Sequence, residues 1–306
     1  STSRRQRQMC IRDRYCIMLT KMEANMKYVA FLDILGFKNK LKGLSQNEAR
    51  SFMGKFSSIV YHDFQVKSEE INGLVVSDSV VLSTKDVKQD SLKSLVNLVL
   101  LICKDEFAQN GILLRGAIAK GEFDEMPARE LKNLRKELIV GQAYVDAYLL
   151  ENSVKTIGIN LSKDVYDDLQ NCGQNVEITE EKIKKETHYV LKYITAEYLC
   201  HEDNLKQFVK FASDSNWLPH YYNTLYFALK NEKNDKKVEQ VFRNLLRLVC
   251  DGKPTDNWRP LDAFIKNSFH EDVIENYQKR FLKHIRNHLF KSEYDYYDHF
   301  IRNTGY

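Results

Sequence analysis

Two aspartates at the ends of apolar strands are where this sequence offers chemistry. Asp33 lies in FLDILGF, residues 31–37, and Asp78 in VSDSVVL, residues 76–82. A carboxylate at a strand end points into the crevice above a sheet instead of into the core. Two of them on neighbouring strands make a seat for divalent cations, and through these for a triphosphate. A lone strand-end aspartate is more often structural, so the reading rests on the pair.

The elements that must hold the pair follow from pattern. Residues 28–34 read as a strand, rich in aromatic and β-branched side chains, and Gly36 breaks it. Ser45 and Glu48 form a capping box that opens a helix, with Phe52, Phe56, Ile59 and Phe64 at helical spacing. Residues 74–76 and 80–82 read as a hairpin tipped by Ser77, Asp78 and Ser79. An apolar helix over 91–110 ends at Gly111. A strand over 113–120, a loop over 121–128 and a solvated helix over 129–137 come next. A short strand over 138–140 and a helix over 141–151 follow. The pattern then predicts a strand over 157–161, a Ser162-capped helix over 162–169, and two strands in 176–194 around TEEKIKKET. This order is that of an α+β, ferredoxin-like palm with a mixed or antiparallel sheet.

Past Thr195 strand signals stop, and aromatic stripes at helical spacing predict a C-terminal helical region over 195–306. Tyr221, Tyr222, Tyr226 and Phe227 form one stripe; residues 238–249 and 273–290 form two more, and Gly252, Lys253 and Pro254 mark a loop between helices. His284 and His288 have the i, i+4 spacing of a metal pair, but no third ligand accompanies them. They are read as surface or core residues.

Bulk properties narrow the classes. The chain has 306 residues, 43% of them hydrophobic, which suits a soluble globule with a core. No stretch approaches the roughly 18 to 20 apolar residues of a membrane span. The net charge of +4 is concentrated in residues 1–25, which hold six basic and two acidic side chains. The remainder is neutral, and no basic patch suggests nucleic acid. Segment RRQRQMCIRDR, residues 4–14, resembles a translated sequencing adapter. Residues 1–25 are therefore expected to be a disordered, non-native leader, with the native start at Met26 or Met22; a basic arm or targeting peptide is the alternative. None of the six cysteines forms a CxxC pair, which fits a reducing cytoplasm.

FLDILGF resembles the opening strand of class III nucleotidyl cyclases, F-x-D-[IV]-x-G-F, and Asp78 follows Asp33 by 45 residues in a hairpin, as in that family. LLRGAIAKGE, residues 113–122, resembles the family's R-x-G-I-x-x-G strand through Arg115 and Gly121. IVGQAYVDAYLLE, residues 139–151, resembles G-[DE]-x-V-N-x-A-x-R-L-E through Gly141, Ala147, Leu150 and Glu151. INLSKDVYDDL, residues 159–169, is a weaker match. The resemblance covers residues 27–170 and implies a catalytic domain over 26–194. It implies that a ribose 3′-hydroxyl attacks the α-phosphorus in line, with Asp33 and Asp78 bridging two metals and the Ile34 carbonyl as a further ligand. Backbone amides of Leu35, Gly36 and Phe37 would meet phosphate oxygens. Family members pair head to tail, which implies a homodimer.

The departures bear on substrate. The family's ribose-orienting Asn falls on Val145 and its transition-state Arg on Leu149. The adenine-selecting Lys falls on Leu74 and the base-reading Asp on Leu138. Leucine cannot make the polar contacts that a purine edge requires. The profile resembles a divergent branch, the pyrimidine cyclases of bacterial Pycsar anti-phage systems. That implies cyclic UMP or cyclic CMP made from UTP or CTP on Mn²⁺, possible also on Mg²⁺, and a product that acts on a separate effector protein. Arg115 is the first choice to replace the missing arginine, with a salt bridge supporting the hairpin as the alternative; Lys120, Arg135 and Lys136 are the other cations near the crevice. Tyr144 would stack on a base or lie at the dimer contact. A catalytically inactive dimeric scaffold is the competing reading, and a helical tail that senses phage a third.

Overall fold

A computed structural model describes residues 25–215, save 68–69, 127–137, 155 and 184–185, together with scattered positions from His220 to Val241. The leader, the 129–137 segment with Arg135 and Lys136, the stripes beyond Val241, and His284 and His288 lie outside the described residues.

Seven strands form one mixed sheet. In chain order they are β1 (Met26–Ile34), β2 (Ile71–Val76), β3 (Ser79–Thr84), β4 (Leu114–Glu122), β7 (Ile159–Leu161), β8 (Ile178–Ile183) and β9 (Glu186–Leu191). Their spatial order is β2-β3-β1-β4-β7-β9-β8, and β4 and β7 are the parallel pair. Strands β5 (Asp124–Met126) and β6 (Leu138–Val140) form a separate hairpin. The fold is therefore α+β with a mixed sheet, as the element order predicts.

Strand β1 lies between β3 and β4 and is buried on both faces. Tyr28, Ala30, Leu32 and Ile34 face the main core; Val29 and Phe31 face a smaller cluster on the other side. Two-sided burial explains why the strand reads as an unbroken apolar run. The main core is filled by helix α2 (Gln46–Lys67) and helix α3 (Gln89–Asp105), which follow the short α1 (Phe37–Lys42). The predicted capping box is present: Ser45 N–H donates to Glu48 at 2.8 Å, and Glu48 N–H donates to Ser45 Oγ at 3.4 Å. Helix α3 starts two residues before Ser91, because Asp86 accepts both the Lys88 N–H and the Ser91 hydroxyl. It runs on into a π-turn, Glu106–Asn110, and stops at Gly111 with φ of 65°.

Among the described residues the opposite face carries one helix, α4 (Gln142–Glu151), which lays Ala143 and Ala147 on the sheet. Its entry is set by Gly141, whose φ is 148° and where a Cβ would stand 2.2 Å from the Glu122 carbonyl oxygen. Only glycine fits there. Strand β4 extends to Glu122, past the boundary at Lys120 expected from sequence, because β1 pairs with it residue by residue from Ile34 to Met26.

Helices α5 (Lys163–Asn171), α6 (Ala196–Leu199) and α7 (Glu202–Ser215) complete the described elements. Leu205, Leu225, Phe227 and Val241, all past Thr195, are buried in the main core with β1 and α3. Thr224 Oγ1 accepts the Ile157 N–H at 2.6 Å, and Lys192 donates to the Phe227 carbonyl at 3.3 Å. The start of the C-terminal region is thus sewn onto the palm. Among the described residues no helix is long and apolar enough to cross a membrane.

Glu106 in the π-turn is fully buried. Burial pushes its carboxyl from 4.5 up to about 8; the Asn110 amide opposes this and the nearby Asp63 and Asp105 charges reinforce it. The folded chain binds this proton more tightly than the unfolded chain, so its contribution to stability is full below about pH 4.5 and is lost as pH rises through 8. Glu106→Gln keeps the acceptor for Asn110 and cannot ionise. Urea denaturation should show the variant more stable than wild type at about pH 8, by on the order of 2 kcal/mol, and little changed at about pH 5.

Candidate active site

Strand register assembles the site. Asp33 lies opposite Ser79 on β3 and opposite Arg115 on β4. Directly opposed residues of antiparallel strands share a face, so the three side chains form a row across three strands. They occur on the α4 side of the sheet, in line with Phe31 and Ala117. Asp78 sits at the hairpin tip beside this row. Its carbonyl accepts the Ile34 N–H at 3.1 Å, which ties the tip to the end of β1. Ser77, next to it, has φ of 57°, the one positive value at a non-glycine among the described residues. Strain of this kind collects where a turn must hold one geometry.

The two carboxylates act on each other. Burial pushes the Asp33 carboxyl above its ordinary value, Arg115 pulls it back, and the charge of Asp78 raises it again. Ser79 Oγ donates to Asp33 at 3.3 Å and Arg115 Nη2 donates to it at 3.3 Å. An acid pair in a half-buried crevice, with mutual repulsion that one guanidinium only partly relieves, suits a divalent cation. The donor set is all oxygen, the chemistry that Mg²⁺ and Mn²⁺ prefer.

Arg115 is itself gripped on several sides. Its Nε lies 2.5 Å from Glu151 at the end of α4, and its Nη1 lies 3.4 Å from Asn152 and 3.5 Å from His220. Its side chain is 16% exposed and that of Glu151 only 2%. Burial pushes the Glu151 carboxyl to about 7, against the pull of Arg115. Both sequence readings of Arg115 therefore have a geometric basis. It touches the acid row, and it also bridges α4 to β1.

The other expected residues divide. The Leu35 N–H is not available to a phosphate, because it donates to the Leu113 carbonyl at 2.9 Å and the residue is fully buried. Gly36 has φ of 73° and precedes α1, so its amide and that of Phe37 stand where the chain leaves the sheet. Tyr144 packs edge-on against Phe31 and stacks on Tyr148. Lys120 is corrected as a crevice cation. It pairs with Tyr28, whose side faces the main core, and its Nζ donates to Asp168 at 2.7 Å on α5. Sequence reasoning placed Glu151 in a motif without a role, and missed His220 because no local pattern joins it to a residue 105 positions earlier.

No family model matches the chain, and no curated protein matches it. Solved structures do resemble the fold. A dimeric guanylyl cyclase domain of the RhoGC fusion protein from the aquatic fungus Blastocladiella emersonii is 16% identical over 55% of this chain and 94% of its own, with a TM-score of 0.46. The guanylate cyclase domain of RhGC from Catenaria anguillulae, in complex with GTP, is 16% identical over 55% of this chain and 97% of its own, at 0.45. The adenylyl cyclase CyaB from P. aeruginosa is 15% identical over 55% and 93%, at 0.44.

Removing the guanidinium should strand Glu151 in a buried place. Arg115→Ala is expected to lower unfolding free energy by about 3 kcal/mol, and Arg115→Met combined with Glu151→Met to recover most of it. Denaturant titration of the single and double variants measures this. A single variant as stable as wild type would contradict a bridging role.

Proposed function

We propose that this chain is a nucleotide cyclase that closes UTP or CTP to the 3′,5′-cyclic monophosphate and pyrophosphate. The observation that carries the reading is the meeting of Asp33, at the end of β1, with Asp78, in the turn between β2 and β3, close enough for one charge to raise the other's pKa. The motif resemblances at residues 31–37, 113–122 and 139–151 support it independently. Asp33, Asp78 and the Ile34 carbonyl are the proposed metal ligands. Two divalent cations held there, manganese in this reading, would acidify the ribose hydroxyl and grip the leaving phosphates.

The chain's own groups then have defined tasks. A bond forms from the 3′-oxygen to the α-phosphorus, the bond to the β-phosphate bridging oxygen breaks, and the hydroxyl proton passes to solvent. Asp33 and Asp78 fix the reacting end at the mouth of the sheet. Arg115 keeps Nε on Glu151 while its Nη2, now on Asp33, turns to a phosphate oxygen and shares the charge of the transition state. The amides of Gly36 and Phe37 donate to phosphate. Leu74 is half-buried and Leu138 is 48% exposed, so neither offers a polar contact to a purine edge.

A homodimer completes the proposal. Val145 and Leu149 are 45% and 63% exposed on α4, and Val75, Val76, Leu138 and Val140 are also exposed. Val145 and Leu149 share α4 with the exposed Tyr148, and that apolar helix face is the one the proposed partner would cover. The product is proposed as a second messenger in anti-phage defence, read by a separate effector. One observation favours the second reading, a catalytically inactive dimeric scaffold: Arg115 is already engaged by Asp33 and Glu151, and Val145 and Leu149 bring no polar group to a partner.

Incubation with each of the four NTPs and Mn²⁺, followed by mass spectrometry, decides between them. The expected products are one cyclic pyrimidine monophosphate and pyrophosphate, with a loss of at least about 100-fold in Asp33→Ala and in Asp78→Ala. Turnover that survives either substitution sinks the site assignment; no turnover of any NTP favours the scaffold. Leu149→Asp should shift sedimentation from dimer to monomer and abolish turnover, leaving the fold intact by circular dichroism.

A further inference from the structure

On the main-core side of the sheet, away from the face that carries the acid row, α6 leads into α7 through Cys200 and His201. Glu197, Cys200 and His201 each present a ligand atom there, and the three atoms lie within 4.8 Å of one another. We propose that they form a second cation site, for a borderline-soft divalent metal of the Zn²⁺ type.

The donor set argues for the metal. A thiolate, an imidazole and a carboxylate together select Zn²⁺ over Mg²⁺ or Mn²⁺, which prefer all-oxygen sites. Zinc bonds of about 2.0 to 2.3 Å in a tetrahedron place ligand atoms roughly 3.3 to 3.8 Å apart. The three atoms now lie within 4.8 Å of one another, so binding would require side-chain rotation to draw them to that spacing.

The backbone beneath them is fixed. Thr195 Oγ1 accepts the Tyr198 N–H and caps α6. Cys200 N–H donates to the Ala196 carbonyl, Leu205 N–H to the His201 carbonyl, and the Asn204 amide to the Tyr198 carbonyl at 3.0 Å. Ala196 and Leu199 anchor the turn in the core. Ligands on a turn tied down at both ends lose little freedom on binding.

A cavity of about 460 Å³ adjoins the cluster. Glu197 and His201 line it, along with Phe107, Ile194, Tyr198 and Asn204. Three protein ligands leave a fourth position, the arrangement that keeps a zinc open to a small molecule or water. That position would lie on the cavity side, which two of the three ligands line. Lys237, from the C-terminal region, forms an ion pair with Glu197. Its ammonium supplies the positive charge that a metal would replace, so it competes with the metal for the carboxylate. The inference does not rest on the cyclase reading, because none of these residues belongs to the acid row.

The test uses the full chain, stripped with chelator and titrated with Co²⁺. One equivalent should bring up a thiolate-to-cobalt charge-transfer band that Zn²⁺ abolishes and Mg²⁺ does not. Cys200→Ser should lose the band, and His201→Ala should weaken binding at least about tenfold. Lys237→Ala should tighten binding, since it removes the competing ammonium. Circular dichroism of each variant reports that the fold persists. No band in wild type, a band unchanged in Cys200→Ser, or weaker binding in Lys237→Ala would overturn the proposal.

Discussion

One electrostatic constraint organises this molecule: a row of acidic groups is held on a sheet face and only partly neutralised. Strand register forces Asp33 into line with Arg115, and the hairpin tip brings Asp78 alongside. Burial makes every uncompensated negative charge there costly. Arg115 relieves the cost twice, once at Asp33 and once at Glu151. Because the guanidinium also joins α4 to β1, the placement of that helix and the charge state of the row are one problem. A change at either end is felt at the other.

The two faces of the sheet reflect the same constraint. The main-core face is covered by α2, α3 and α5, and its residues are nearly all apolar. Among the described residues the site face carries one helix, seated through Ala143 and Ala147, small residues that let α4 lie close to the strands. The charged groups of the row sit beside it, and Leu149 and Val145 are exposed on α4. The proposed second subunit would cover them.

Much of the fold was legible because local signals and tertiary demands agreed. The capping box at Ser45, the glycine stop at Gly111 and the glycine entry at Gly141 each have a local cause, and each is where the pattern put it. The pairing of Asp33 with Asp78 was legible through motif spacing. What was not legible depends on contacts distant in sequence. Strand β4 outruns its apolar pattern because β1 supplies partners as far as Glu122. Lys120 follows the strand's alternation onto the wrong face, which only the register reveals. The Leu35 amide looked open because its partner, the Leu113 carbonyl, belongs to another strand. His220 reaches Arg115 from a segment whose pattern says only helix. The texture past Thr195 says helix but not where it packs, and Leu225 and Phe227 share the core of the palm; hydrophobic periodicity reveals that a face is buried but not against what.

Charge balance bears on how the proposed site could act with Val145 and Leu149 where the cyclase resemblance implies an Asn and an Arg. Burial pushes the Asp33 and Glu151 carboxyls up, Glu151 to about 7, and Arg115 pulls both back. One guanidinium shared between two carboxylates, with Asp78 beside them, leaves the row acidic. Such a row suits a dication and would repel a bare polyphosphate. Any triphosphate at this site must therefore arrive with its counterion, and the cation, not a partner's arginine, would be the principal charge balance. On the proposed reading, apolar Val145 and Leu149 would favour association, and the orienting of phosphate would be left to Arg115, which Asp33 and Glu151 hold on two sides.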